Sequence, residues 1–153
     1  ANRPAYLRGS DRGLAGGAFW AVDYGPELSR GFRALKVWAH LKEHGLKALG
    51  AVIDRNLDQA QYLENLVRAS DKLEMLAPVP LNICCFRYKF EKDANALNDE
   101  LVVQLHEKGI AVPSTTTIHG NLAIRVNLTN HRTRKKDLDI LIEAVEKIGA
   151  TLA

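Results

Sequence analysis

Cysteine is nearly absent from this chain, with 2 in 153 residues. The two are neighbours, Cys84 and Cys85. Successive side chains of a strand leave on opposite faces, so adjacent cysteines on a strand are poorly placed to bond each other, and no zinc-like spacing surrounds them. A disulfide framework and a cysteine metal site are thereby excluded, and a reducing, cytoplasmic setting is expected. No apolar run approaches membrane-spanning length and no secretory leader pattern is present, which predicts a soluble protein without a membrane partner. An excess of one charge is also missing: 21 Lys and Arg against 18 Asp and Glu leave a net +3, too little for a nucleic-acid footprint. The one dense basic cluster, His131, Arg132, Arg134, Lys135 and Lys136, lies where a helix should begin, a position where cations oppose the helix dipole. It reads as a solvated helix end, with anion or partner-domain contact as the other reading. It lacks the interleaved aromatics that stack bases, so RNA ranks last. There is no internal repeat and no low-complexity segment. What is present is the ordinary globular balance of 46% hydrophobic and 25% charged residues, enough for one domain with a real core.

Residues 1–25 are punctuated by Pro4, Gly9, Gly13, Gly16, Gly17 and Gly25, which predicts a loop long enough to be a functional lid. Tyr6 lies within it. Pro26 suits the first position of a helix; Leu28, Phe32, Leu35 and Trp38 then form a predicted buried stripe, and Gly45 ends it. Gly31 inside that helix costs about 1 kcal/mol relative to alanine, so a close packing contact or a local irregularity is expected there. A second helix over about 46–69 places Leu46, Leu49, Ile53, Ala60, Leu63 and Val67 in the core. Strands are predicted over 73–76 and 81–88. A third helix over about 94–108 carries Leu97, Leu101 and Leu105 on one face and closes at Gly109. Residues 110–118 read as extended, and His119-Gly120 as a turn. The final helix, from about Arg134, presents Leu138, Leu141, Ile142, Val145 and Ile148. Helix, strand, strand, helix, strand, strand, helix is the order of an α/β two-layer sandwich with helices gathered on one face, an α+β arrangement.

Between the turn and the last helix, Leu122, Ile124, Val126 and Leu128 alternate with Ala123, Arg125 and Asn127. Period two puts the first set on an apolar face and Arg125 on the other. The small neighbours Ala123 and Asn127 leave open ground around a guanidinium, a planar fork that holds a carboxylate by two parallel hydrogen bonds. A solvent-facing strand arginine is the plainer reading. His119 and His131 read as solvated, and Asp54, Asp58 and Glu64 as the wet face of a helix.

The run Leu122-Ala123-Ile124-Arg125-Val126, followed by Asn130-His131-Arg132-Thr133 and Asp137-Leu138-Asp139-Ile140-Leu141-Ile142, resembles the C-terminal end of the group II pyridoxal-phosphate decarboxylases, which include the aromatic-L-amino-acid, histidine and glutamate decarboxylases. The run from Gly25 to Trp38 is similar to the family's lead into the helix joining its large and small domains. It departs at Gly31, where a second arginine is usual, and at Tyr24, where a tryptophan is common. The resemblance covers essentially this whole chain and the C-terminal part of the family's.

It implies a fold-type I pyridoxal-phosphate enzyme: residues 1–45 as catalytic lid loop and interdomain helix, and residues 46–153 as the small C-terminal α/β domain. It implies a homodimeric amino-acid decarboxylase, releasing CO2 and an amine, whose cofactor is held mainly by an N-terminal portion of the same protein. The Schiff-base lysine is placed upstream, since Lys36, Lys42 and Lys47 lie on or beside helices matching non-catalytic ones. By the same resemblance Tyr6 is the catalytic loop tyrosine that protonates the quinonoid carbanion. Arg125 is a substrate-carboxylate ligand, and Ser29 a substrate-side position where a hydroxyl favours a polar substituent. The Gly25 to Trp38 run looks more like the aromatic-substrate branch. The alternative is a free-standing amino-acid-binding regulatory module in which Arg125 grips a carboxylate; such a module has no need of the loop bearing Tyr6.

Overall fold

The computed structural model describes residues 31–153; Tyr6, Leu28 and Ser29 lie outside the described residues. The chain divides into two compact units, Ala1–Glu43 and His44–Ala153. Helix α1 spans Ala34–Ala69 and is broken at Gly45, whose φ of 74° and ψ of 163° leave helical space. That is the positive-φ conformation in which glycine carries no side-chain penalty and at which helices stop, as the sequence predicts.

Gly31 lies before α1 rather than inside a helix, and among the described residues a methyl group in place of its hydrogen would meet no atom within 4 Å. Of the two expectations for this glycine, a packing contact or a local irregularity, the described residues show the second: its carbonyl accepts the Arg33 N–H at 2.8 Å in a turn that precedes the helix. The expected buried stripe is also corrected: Phe32 is 74% and Trp38 58% exposed, and Leu35 is exposed too. Helical spacing fixes which side chains share a face but not what covers that face. On this helix Lys42 Nζ lies 6.0 Å above the Trp38 ring.

In the second unit the same correction applies to Leu46 and Ile53, 77% and 59% exposed, whereas Ala60, Leu63 and Val67 are fully buried. The C-terminal part of α1 thus belongs to the core, and the turns just after Gly45 do not. Strands β1 (Leu73–Met75), β2 (Ile83–Tyr88), β3 (Ser114–Ile118) and β4 (Asn121–Asn127) form one antiparallel sheet in the order β1-β2-β4-β3. Helices α2 (Ala94–Glu107) and α3 (Lys135–Leu152) complete the order read from the sequence. The segment before β3, residues 110–113, is not a strand.

One face of the sheet offers Leu73, Cys84, Phe86, Tyr88, Ile124 and Val126 to Leu63 and Val67 of α1, Leu101 and Leu105 of α2, and Leu138, Leu141 and Val145 of α3. Each such leucine or phenylalanine fully withdrawn from water contributes about 1.5–3 kcal/mol. Between β3 and β4, His119 and Gly120 both have positive φ, 50° and 81°, the requirement of a tight hairpin turn whose twist matches its strands.

Two contacts fix how helices meet the sheet. Asn98 on α2, fully buried, accepts the Tyr88 N–H at 2.8 Å and donates to the carbonyls of Tyr88 at 3.0 Å and Ala94 at 2.8 Å. It completes the hydrogen bonding of a strand end inside the core. On α3, Gly149 lies so close to the Tyr88 ring that a methyl there would overlap the ring carbons. Asn98→Leu leaves both Tyr88 backbone groups unpaired and is expected to cost about 3 kcal/mol in urea denaturation. Gly149→Ala gains about 1 kcal/mol of helix propensity and loses more to overpacking, for a net loss of about 1–2 kcal/mol. An unchanged denaturation midpoint in that variant would show that the Tyr88 ring moves aside.

Candidate functional site: the open face of the sheet

The helix-free face of the sheet is defined by register. Arg125 on β4 stands opposite Cys85 on β2 and Ser114 on β3, while Glu74 on β1 pairs with Arg87 on β2. Two guanidinium groups therefore share this face, and their surroundings differ. Arg87 Nε donates to Glu74 Oε1 at 2.5 Å and its Nη1 to Asn121 Oδ1 at 2.9 Å. Its charge is matched and its fork is occupied.

Arg125 has one side-chain hydrogen bond, from Nη1 to Ser114 Oγ at 3.3 Å, and no ion pair among the described residues. It is half-buried and lines a cavity of about 260 Å³ with Val112, Ser114, Asn127, Thr133 and Asp137. The Asp137 carboxylate is already engaged, its Oδ2 accepting the Arg134 N–H at 2.8 Å to cap α3. A partly desolvated guanidinium without an acid partner, beside a cavity, is chemically a receptor for an anion, and for a carboxylate by geometry. The sequence places Arg125 on this face correctly. It does not show the Glu74–Arg87–Asn121 network or Ser114, because cross-strand partners depend on register; the parity of Arg87 with Cys85 along β2 is the one signal available. Ala123, expected as open ground, is fully buried on this face.

The adjacent cysteines, both free, differ in the same way. Burial pushes the Cys84 thiol up to about 12, helped by Cys85 and Glu64 and opposed by Arg68. Burial also raises Cys85, and the Arg125 charge partly offsets it.

Two members of the basic cluster at the start of α3, Arg134 and Lys135, have local partners. Arg134 Nη1 donates to the carbonyls of His131 at 3.0 Å and Thr133 at 3.2 Å. Lys135 Nζ lies 4.9 Å above the Tyr62 ring, while Tyr62 donates to Asp139 at 2.7 Å and has its phenol pKa raised by that bond first. Asp137 supplies the acid that the helix N-terminus favours. His119 and His131 are exposed. Among the described residues no group of three or more His, Cys, Asp or Glu is placed to hold a metal ion, and no helix is long and apolar enough to cross a membrane.

The structural neighbours of this four-stranded antiparallel sheet with helices on one face are fold-type I pyridoxal-phosphate decarboxylases, of which this chain corresponds to a C-terminal part. The solved Oryza sativa TDC with PLP and tryptamine superimposes with a TM-score of 0.77 at 25% identity, over 86% of this chain and 29% of that one. Residues 2–89 match the pyridoxal-dependent decarboxylase conserved domain, and the chain belongs to that family. It is 32% identical over 140 residues to an aromatic-L-amino-acid decarboxylase of Bacillus atrophaeus, covering 88% of this chain and 29% of that protein. It is 32% identical over 136 residues to a histidine decarboxylase of Rattus norvegicus, covering 88% of this chain and 20% of that protein. The chain thus spans between a fifth and a third of the length of these relatives.

The family implies pyridoxal phosphate. A lysine holding it as an imine needs a water-poor pocket, and every described lysine is exposed.

Alkylation of the native protein at mildly alkaline pH is expected to label Cys85 and spare Cys84. In Arg125→Ala the offsetting cation is gone, so the Cys85 thiol pKa rises and its pH–rate profile moves to higher pH. Mass spectrometry of the alkylated peptides reads both effects; an unmoved profile would mean that Arg125 does not act on the thiol.

Proposed function

We propose that this chain is the C-terminal portion of a pyridoxal-phosphate-dependent L-amino-acid decarboxylase acting on an aromatic amino acid. The observation that carries the reading is the family match over residues 2–89, a segment that contains both Tyr6 and Ser29. The aromatic-L-amino-acid and histidine decarboxylases among its relatives support a flat, unsaturated substrate side chain. In this reading residues 1–45 form the lid loop and interdomain helix and residues 46–153 the small domain. The cofactor is bound by an N-terminal portion of the same protein, and the working enzyme is a cytoplasmic homodimer.

The cofactor supplies the electron sink for loss of CO2; the residues of this chain bind, orient and return a proton. Arg125 takes the substrate carboxylate. Its guanidinium on the open sheet face has no acid partner among the described residues, so nothing need be displaced first. Ser29 lies toward the substrate side chain and offers a hydroxyl to a ring substituent. Tyr6 gives its phenolic proton to the substrate α-carbon in place of the departed carboxylate; a phenol with an ordinary pKa near 10 stays protonated at neutral pH and suits a strongly basic carbon.

An aromatic amino acid has one carboxylate, and it is the group that leaves. Contact with Arg125 therefore exists in the bound substrate and fades as CO2 departs, so it contributes to binding rather than to the chemical step.

Tyr6→Phe in the intact enzyme is expected to lower amine production by at least about 100-fold while the visible band of bound cofactor is retained. Amine release and the absorption spectrum are measured on the same sample. Full amine production by the variant would remove Tyr6 from the mechanism, and loss of the band would make its role structural.

A further inference from the structure

We propose that Ser114 is a positioning residue for Arg125, holding the guanidinium in its carboxylate-receiving orientation without cancelling its charge. The inference rests on the reading of Arg125 as carboxylate receptor and adds the device that aims it.

The geometry is a small closed circuit. Ser114 and Arg125 are directly paired across β3 and β4. The Ser114 hydroxyl donates to the Arg125 carbonyl at 3.3 Å and accepts from Arg125 Nη1, also at 3.3 Å. A hydroxyl has a single proton. Once that proton is directed at the strand carbonyl, the oxygen lone pairs are left toward the guanidinium. The arginine side chain is thereby tied back to its own backbone through a neighbour's oxygen.

The backbone that carries Ser114 is itself anchored. His106 on α2 makes a hydrogen bond through Nε2 to the Pro113 carbonyl at 2.8 Å; since a carbonyl only accepts, the ring donates from Nε2. Pro113 is buried, and Ser114 and Arg125 line the same cavity of about 260 Å³.

The contrast with Arg87 gives the tether its meaning. Arg87 is oriented by a carboxylate, Glu74, which also neutralises it. Arg125 is oriented by a neutral oxygen, which fixes direction and leaves the positive charge for a ligand. One arginine on the face serves the sheet, and the other is kept available.

The test is steady-state kinetics of the intact decarboxylase on its amino-acid substrate for wild type, Ser114→Ala, Ser114→Thr, Arg125→Ala and the Ser114→Ala/Arg125→Ala double variant, with melting temperatures alongside. Arg125→Ala is expected to raise KM about 10- to 100-fold, the loss of two charge-assisted hydrogen bonds. Ser114→Ala is expected to raise KM about five- to tenfold with kcat and melting temperature unchanged, and Ser114→Thr, which keeps the hydroxyl, to restore KM. In the double variant removal of the hydroxyl should add nothing, because its effect passes through the guanidinium. A large effect of Arg125→Ala with none from Ser114→Ala would overturn the inference and leave Arg125 as receptor. So would additive effects in the double variant, or a threonine variant as impaired as the alanine. An unchanged KM in Arg125→Ala would overturn the carboxylate reading itself.

Discussion

Everything about this domain depends on the alternation of β4, where Ile124 and Arg125 are consecutive. Ile124 is fully buried against the helices and pairs with Phe86; Arg125 faces away from them and pairs with Cys85. One peptide unit separates the centre of the core from the candidate site. A one-residue slip in pairing would send a guanidinium into the core and an isoleucine to the open face, at a cost of several kcal/mol for the buried charge alone. The hairpin turn at His119-Gly120 and the flanking pairings with β2 and β3 hold the register. The same interactions that stabilise the sheet therefore determine where the Arg125 guanidinium lies, and a mutation that loosens one disturbs the other.

The open face shows how two arginines on one surface acquire different roles from their partners. Glu74 and Asn121 occupy Arg87, which ties β1, β2 and β4 together through side chains. Arg125 has a hydroxyl where Arg87 has a carboxylate. Two uncompensated guanidinium groups on neighbouring strands would repel each other and burden the fold; with one of them paired, the repulsion is reduced and the charge that remains is localised. The Cys85 thiol registers that charge, since Arg125 lowers a pKa that burial has raised.

What the sequence discloses follows the range of the physics behind each feature. Helix stops at Gly45 and Gly109, the His119-Gly120 turn, and the outward placement of Arg125 are all local: a positive φ or a period of two decides them, and each is present in the structure. The element order was legible for the same reason. Cover is not local. Phe32, Trp38, Leu46 and Ile53 have helical spacing yet are exposed, because periodicity orders a face without supplying what lies upon it. Pairing is not local either, so Ser114, Glu74 and Asn121 gain meaning only once the register sets them beside an arginine. Asn98 is intermediate: a polar residue on the face of Leu101 and Leu105 signals a buried hydrogen-bonding duty, but not that its partner is the backbone of Tyr88.

The weakness of the Arg125 tether is consistent with the chemistry proposed for it. A receptor for the carboxylate that will leave as CO2 works against the reaction if it binds too well, because stabilising the ground state alone deepens the well from which the reaction must climb. A fully buried, desolvated ion pair would do that. Arg125 is half-buried, on a polar sheet face, with a single hydrogen bond of 3.3 Å to orient it. In the proposed reading, solvent near the guanidinium screens the attraction, so capture and alignment are retained while the carboxylate is held loosely enough to depart. Tightening the site by replacing the Ser114 hydroxyl with a carboxylate would fail for the opposite reason: Arg125 would then be neutralised as Arg87 is, and the substrate carboxylate would have nothing to bind.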